Sequence, residues 1–265
     1  MSVLQRHNVT RTGRGRPLLF AHGFGCDQNV WQAVARAAAA HYEVVLFDFA
    51  GCGLADPSLY DRQRYATLDG HVDDLVAVCE AAQLDRPVLV AHSVGTMVGV
   101  LAAKRRPDLF DSLVLIAPSP CYLNDGDYQG GFERDDIDAL LDTLESNHFG
   151  WARMMAPVIM GNPDRPELSG ALEDSFCRMD SGVARHFARV TFLSDHRSDL
   201  AQVPIPCLLL QCSDDALAPA AVGEYLAAQM ASSTLVRLAA TGHCPHMSAP
   251  EEVVSAIDAH LQRRR

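Results

Sequence analysis

The stretch Val88-Leu-Val-Ala-His-Ser-Val-Gly95 constrains this 265-residue chain more than any other. An apolar run makes a short buried-strand signal, and a polar pair and a glycine follow at once. Residues 96–105 then read as a helix, with Met97, Val98, Leu101 and Ala102 at helical spacing. A serine in so tight a strand-to-helix turn projects its hydroxyl from the carboxyl edge of a sheet. The helix N-terminus behind it stabilises negative charge. Gly95 is one of the small residues such a turn demands. The other is Ala91, where the usual G-x-S-x-G pattern has glycine. A buried capping serine would leave a similar trace, so these residues need support from elsewhere in the chain.

The rest of the chain supplies a frame for that turn. Short apolar runs at residues 18–21, 44–47, 88–90 and 113–116 alternate with helical stretches, and a weak edge strand is expected over residues 3–11. Leu68, Val72, Leu75, Val76, Cys79 and Ala82 trace one face of a helix. Non-alternating strands between amphipathic helices are the pattern of a mostly parallel sheet with helices on both faces. The alternation stops after Pro118. Ile137, Leu140, Leu141 and Leu144 give one helical apolar face, and Trp151, Met154, Met155 and Val158 a second. Leu168, Leu172, Phe176 and Met179 give a third, and Val183, Phe187 and Val190 begin a fourth. The α/β series resumes with a strand at 207–211, a helix at 220–230, a strand at 235–238 and a last helix from Pro250. The pattern predicts a core of residues 1–118 and 196–265, with residues 119–195 as an inserted four-helix cap.

Composition narrows the classes of function. A chain with 48% hydrophobic residues has material for a large core. A net charge of −11 speaks against a nucleic-acid surface, and Arg263-Arg264-Arg265 reads as the solvated end of a helix. No segment approaches the roughly 18 apolar residues that span a bilayer, and residues 18–20 are too short for a signal-peptide core. The eight cysteines lack C-x-x-C spacing and read as reduced thiols. A cytoplasmic chain without membrane contact is expected.

In an open parallel sheet, reactive groups collect outside the carboxyl ends of the strands. Ser93 follows one strand. Ser213-Asp214-Asp215 follows the strand at 207–211, and Thr241-Gly242-His243 follows the strand at 235–238. Ser…Asp…His is the chain order of α/β-hydrolases. A serine hydroxyl needs a base within hydrogen-bond reach, which His243 would be, and an aspartate would fix the imidazole tautomer. Spacing does not separate Asp214 from Asp215, and Asp195 is a weaker third choice. His246 is the nearest rival base, while His22 and His92 sit in tight turns suited to support. The topology assigns the oxyanion donors to the backbone N–H groups of Val94 and of Phe24, in His22-Gly-Phe-Gly25. No fourth ligand joins His243-Cys244-x-His246, so no metal is expected, and this chemistry calls for no cofactor. Asp48, at a strand end, reads as a turn-former.

The chain resembles the α/β-hydrolase branch that contains the bacterial sigma-B stress regulator RsbQ and the plant strigolactone and karrikin receptors. The resemblance covers almost the whole chain and looks closer to the bacterial regulator. It is carried by His22-Gly-Phe-Gly-Cys-Asp-Gln28, Ala91-His-Ser-Val-Gly95, Ser119-Pro-Cys-Tyr-Leu-Asn-Asp125, Gly130-Gly-Phe132, Ser194-Asp-His-Arg197 and Gly242-His-Cys-Pro-His-Met-Ser248. It implies Asp215 as the acid and His243 as the base. It also implies a cap of four helices in two V-shaped layers, and an enclosed apolar pocket lined by Phe24, Phe132, Trp151 and Phe192. The implied substrate is a small hydrophobic ester or lactone, cleaved through an acyl-enzyme. The implied role is regulatory, with a phosphatase or sensor protein as partner. A ligand receptor with slow or incidental hydrolysis is the alternative, and perhydrolysis or carbon–carbon bond hydrolysis on the same triad is a further one. Haloalkane dehalogenation is disfavoured, because its nucleophile is an aspartate where this chain has Ser93.

Overall fold

The computed structural model describes residues 1–263; Arg264 and Arg265, the end of the basic tail, lie outside the described residues. In chain order the elements are α1 (Val3–Arg6), β1 (Thr10–Gly13), β2 (Pro17–Ala21), α2 (Gln32–Ala38), β3 (Glu43–Leu46), α3 (Asp69–Ala81), β4 (Val88–His92), α4 (Val94–Arg105) and β5 (Ser112–Ile116). Then follow α5 (Arg134–Ser146), α6 (His148–Met160), α7 (Pro166–Arg178) and α8 (Ser181–Leu193). The chain closes with β6 (Cys207–Gln211), α9 (Ala220–Gln229), β7 (Ser233–Arg237), α10 (Pro245–Ser248) and α11 (Pro250–Gln262).

The seven strands form one sheet in the order β1-β3-β2-β4-β5-β6-β7, parallel throughout except that β1 runs antiparallel to β3. Strand residues divide by parity. Leu19, Val45, Leu89, Leu113 and Leu209 pack with α3, α4 and α9. Leu18, Val44, Val88, Val114 and Leu208 pack with α2 and α11 on the opposite face. Both faces are covered, so the central strands show no polar alternation, and their polar residues, His92, Ser112 and Gln211, stand at strand ends. The sheet edges differ: β1 is exposed along its length and reads Thr-Arg-Thr-Gly, a polar margin that discourages pairing with another chain.

The expected edge strand over residues 3–11 is only partly a strand. Residues 3–6 form a single helical turn, because Ser2 and Gln5 make a reciprocal capping box. The apolar face read for α6 is also displaced. Trp151, Ala152, Ala156, Ile159 and Met160 are its buried apolar residues, whereas Met154 and Val158 are about half exposed. Residues 119–133 carry no helix at all; isolated bridges such as Leu123 with Phe132 hold them. Among the described residues no helix is long and apolar enough to cross a membrane.

The sheet puts β4 at its centre, and the turn after it is unusually tight. Ser93 sits at φ 53°, ψ −127°, a region that costs a non-glycine residue roughly 1–3 kcal/mol. Gly95 is required by proximity, since a Cβ there would stand 2.6 Å from the carbonyl oxygen of His22. Ala91 is fully buried in β4 and its methyl is accommodated.

Candidate active site

The carboxyl ends of β4, β6 and β7 bring three distant side chains together. Ser93 Oγ lies 2.8 Å from His243 Nε2, and His243 Nδ1 lies 3.0 and 2.8 Å from the two carboxylate oxygens of Asp215. All three residues are buried. Asp215 Oδ1 also accepts from the backbone N–H groups of Leu217 and Ala218, at 2.9 and 3.1 Å. Those bonds leave the carboxylate little freedom to rotate, which in turn fixes the imidazole plane. The structure thus separates two neighbours that spacing could not. Asp214 is exposed and uses its backbone instead: its carbonyl accepts from the Gly242 N–H at 2.6 Å.

The other candidates lie elsewhere. His246 is buried against Trp31 and His92 and bonds neither Ser93 nor Asp215. His22 donates from Nδ1 to the Gly23 carbonyl at 2.8 Å and accepts from the Phe49 N–H at 3.1 Å, which fixes its tautomer. Asp195 forms an ion pair with Arg197 at the surface. Asp48 is a turn-former, with its carboxylate accepting from Asn8, Gln28 N–H and Leu54 N–H.

Ser93 opens onto a cavity lined by Phe24, Tyr122, Trp151, Phe176, Phe192 and Leu217, among others. Phe132 does not line it. Its backbone bridges Leu123, and its ring lies 6.5 Å from that of Tyr122, which takes the place beside the serine. The Tyr122 hydroxyl is 3.5 Å from Ser93 Oγ, and burial pushes its pKa up to about 12, so it stays protonated. Tyr122 and Phe176 join the pocket without a sequence signal for it: Phe176 reads as one member of the third helical stripe, and Tyr122 lies in a stretch with no periodicity. The room for the centre of a water molecule in this cavity is only about 20 Å³, enough for about one water. Roomier hollows of about 510 and 450 Å³, by the same measure, lie along other faces of α8 and contain neither Ser93 nor His243.

The helical segment holds two of the catalytic loops directly. Ser175 Oγ of α7 donates to the Gly25 carbonyl at 2.9 Å. The His243 N–H donates to the Ile159 carbonyl of α6 at 2.8 Å.

Comparison with known proteins fits this geometry. The model of the alpha/beta hydrolase family matches residues 18–256. The chain belongs to the α/β-hydrolase family. It is 36% identical over 261 residues to a karrikin insensitive 2 receptor of Petunia hybrida, covering 98% of this chain and 97% of that one. It is 36% identical over 264 residues to a strigolactone esterase of Arabidopsis thaliana, covering 99% and 98%. A solved hydrolase from Oleispira antarctica superimposes with a TM-score of 0.96 at 37% identity, covering 98% of this chain and 96% of that chain. Within this hydrolase, Ser93, His243 and Asp215 have the geometry of a Ser–His–Asp triad.

Four other histidines are held neutral by the fold. Burial is the chief cause: it pushes His71 and His246 down to about 3 and lowers His22 and His92. Unfolded imidazoles titrate near 6.5, so below that pH the unfolded chain binds protons that the folded chain does not. Stability is therefore whole above about pH 6.5. It is lost as the pH falls toward about 3, at up to about 1.4 kcal/mol per pH unit for each such histidine. Urea unfolding between about pH 7 and pH 5 should show a steadily falling midpoint. A midpoint that stays level would mean the folded rings take up protons.

Proposed function

We propose that this α/β-hydrolase cleaves small, predominantly apolar esters or lactones through an acyl-enzyme on Ser93. The observation that carries the reading is the aligned relay from Asp215 through His243 to Ser93, at the floor of an apolar cavity. Ser93 Oγ attacks the carbonyl carbon as its proton passes to His243 Nε2. The buried Asp215 carboxylate stabilises the imidazolium so formed. The backbone N–H groups of Phe24 and Val94 receive the developing oxyanion. Neither has a protein acceptor among the described residues, and Val94 also begins α4, whose N-terminal dipole favours negative charge. In related chemistries one such donor is worth roughly 3–4 kcal/mol of barrier. His243 then protonates the departing alkoxide. In a lactone that oxygen stays tethered to the acyl chain. Water, deprotonated by His243, repeats the attack and frees Ser93.

Residues 119–195 serve as a cap over this site, and residues 1–118 and 196–265 as the core that carries it. Phe24, Trp151 and Phe192 bear on the acyl chain, together with Tyr122 and Phe176. A fluorophosphonate probe should add its mass to Ser93 and abolish turnover of a short aryl ester. An unmodified protein, or a modified one that still turns over, would sink the reading.

One observation favours a second role on the same site. Helix α6 leaves Phe149, Met154 and Val158 exposed at 65, 51 and 49%, Met154 and Val158 one turn apart. Exposed large apolar side chains gathered on one element suit protein contact. Relatives bearing the names of receptors support a regulatory use of the site. A ligand can bias such contact only if it contacts two cap states differently. Binding of a sensor-domain phosphatase should then depend on ligand and be lost in Met154→Glu, with ester turnover retained.

A further inference from the structure

His92 precedes the nucleophile, and its side chain is the meeting point of three loops. Its Nε2 lies 2.8 Å from the carbonyl oxygen of His243. A carbonyl only accepts, so Nε2 carries the proton and Nδ1 is left bare. Nδ1 is buried without a partner and faces Gly23; a Cβ at Gly23 would stand 2.7 Å from it. On its remaining side the ring packs on His246 at a centroid distance of 4.3 Å, and His246 packs on Trp31 at 4.5 Å. The ring of His243 is 5.0 Å away. One imidazole is therefore covalently next to Ser93, in contact with the loop that bears Phe24, and bonded to the backbone of His243.

We propose that His92 is a positioning residue that holds the His243 loop in register with Ser93 and the oxyanion loop. The proposal rests on the hydrolase reading given above. The His243 N–H is held by Ile159 of α6, and Thr241 is held by Gly161 and Asn162 just beyond that helix. All of those partners belong to the segment that has to move before a ligand can enter so small a cavity. On the core side, Asp215 holds the His243 ring and Asp214 holds Gly242. Among the described residues, only His92 reaches the backbone of His243 from the core. A base displaced by about 1 Å loses on the order of 100-fold in rate, so this tether matters most when the cap side lets go. Burial and the neighbouring His246 and His243 keep the ring neutral, as donation from Nε2 with a bare Nδ1 requires.

Three substitutions separate donor from shape. Glutamine places an amide nitrogen near the position of Nε2, asparagine stops short at that of Nδ1, and phenylalanine keeps the ring without a donor. On an aryl ester, His92→Phe and His92→Asn should lower kcat by roughly 30–100-fold with KM within about threefold, and His92→Gln should recover to within about fivefold of the parent. Glutamine no better than phenylalanine, or a loss confined to KM, overturns the proposal. Nitrogen-15 NMR of the unaltered protein decides independently of any variant's folding. The Nε2–H neutral tautomer at His92 is expected, and an Nδ1–H or charged ring overturns the assignment. Failure of the hydrolase reading is distinguishable: the parent protein would then neither turn over ester nor take the fluorophosphonate, while the tautomer measurement still stands.

Discussion

Ser93→Ala is expected to lower kcat on a short aryl ester by roughly 10⁴–10⁶-fold, as removal of a triad nucleophile does elsewhere. The cavity offers no substitute. Burial pushes the Cys26 thiol up to about 12 and raises Cys244 well above its ordinary value, so neither supplies thiolate near neutrality. The Tyr122 phenol is likewise held protonated, again at about 12. What survives should be the weak catalysis of oriented water and the two oxyanion donors. The substitution removes one hydroxyl and leaves the backbone at φ 53°, so the strain of the turn persists and the melting temperature should move little. Steady-state kinetics on freshly purified variant would decide the matter. A residual rate above a few per cent of the parent would place the chemistry on another residue.

Asp215→Asn should cost about 10⁴-fold in kcat while leaving the fold intact. The two N–H donors from Leu217 and Ala218 converge on Oδ1, so an asparagine would turn its carbonyl oxygen toward them. Its NH₂ group would then face His243 Nδ1. Two donors cannot pair, so the imidazole would shift its proton to Nε2, where the Ser93 hydroxyl needs an acceptor. Asp214→Asn is the matched control. Its side chain is exposed and its contribution is a backbone carbonyl, so kcat should stay within about twofold of the parent. Equal losses from the two substitutions would contradict the assignment of Asp215.

The contrast between those two aspartates shows where sequence reasoning stops. Periodicity is a local signal, and the sheet, the four helices between β5 and β6 and the turn at Ser93 all leave local traces. The order of serine, aspartate and histidine adds a constraint from strand topology. Asp214 and Asp215 follow the same strand, however, and only burial tells them apart. Met154 and Val158 fell on the wrong side of α6 because a helix rich in apolar residues has no sharp polar face from which to read its rotation. Tyr122 lies in a loop whose path is set by isolated bridges and by the Tyr128 hydroxyl bonding the Cys121 carbonyl. No sequence period encodes such contacts. The same holds for His92, whose partner carbonyl is 151 positions away.

The near-filled cavity has a consequence for kinetics. With about 20 Å³ open to the centre of a water molecule, a ligand of several carbons displaces rings and helices rather than solvent. Entry then waits on a movement of those groups. Where that movement precedes binding, the observed association rate should rise with ligand concentration only until it meets that movement and then level off. Ligands of quite different chemistry should share the same plateau. Selection among them would fall to how long each one stays.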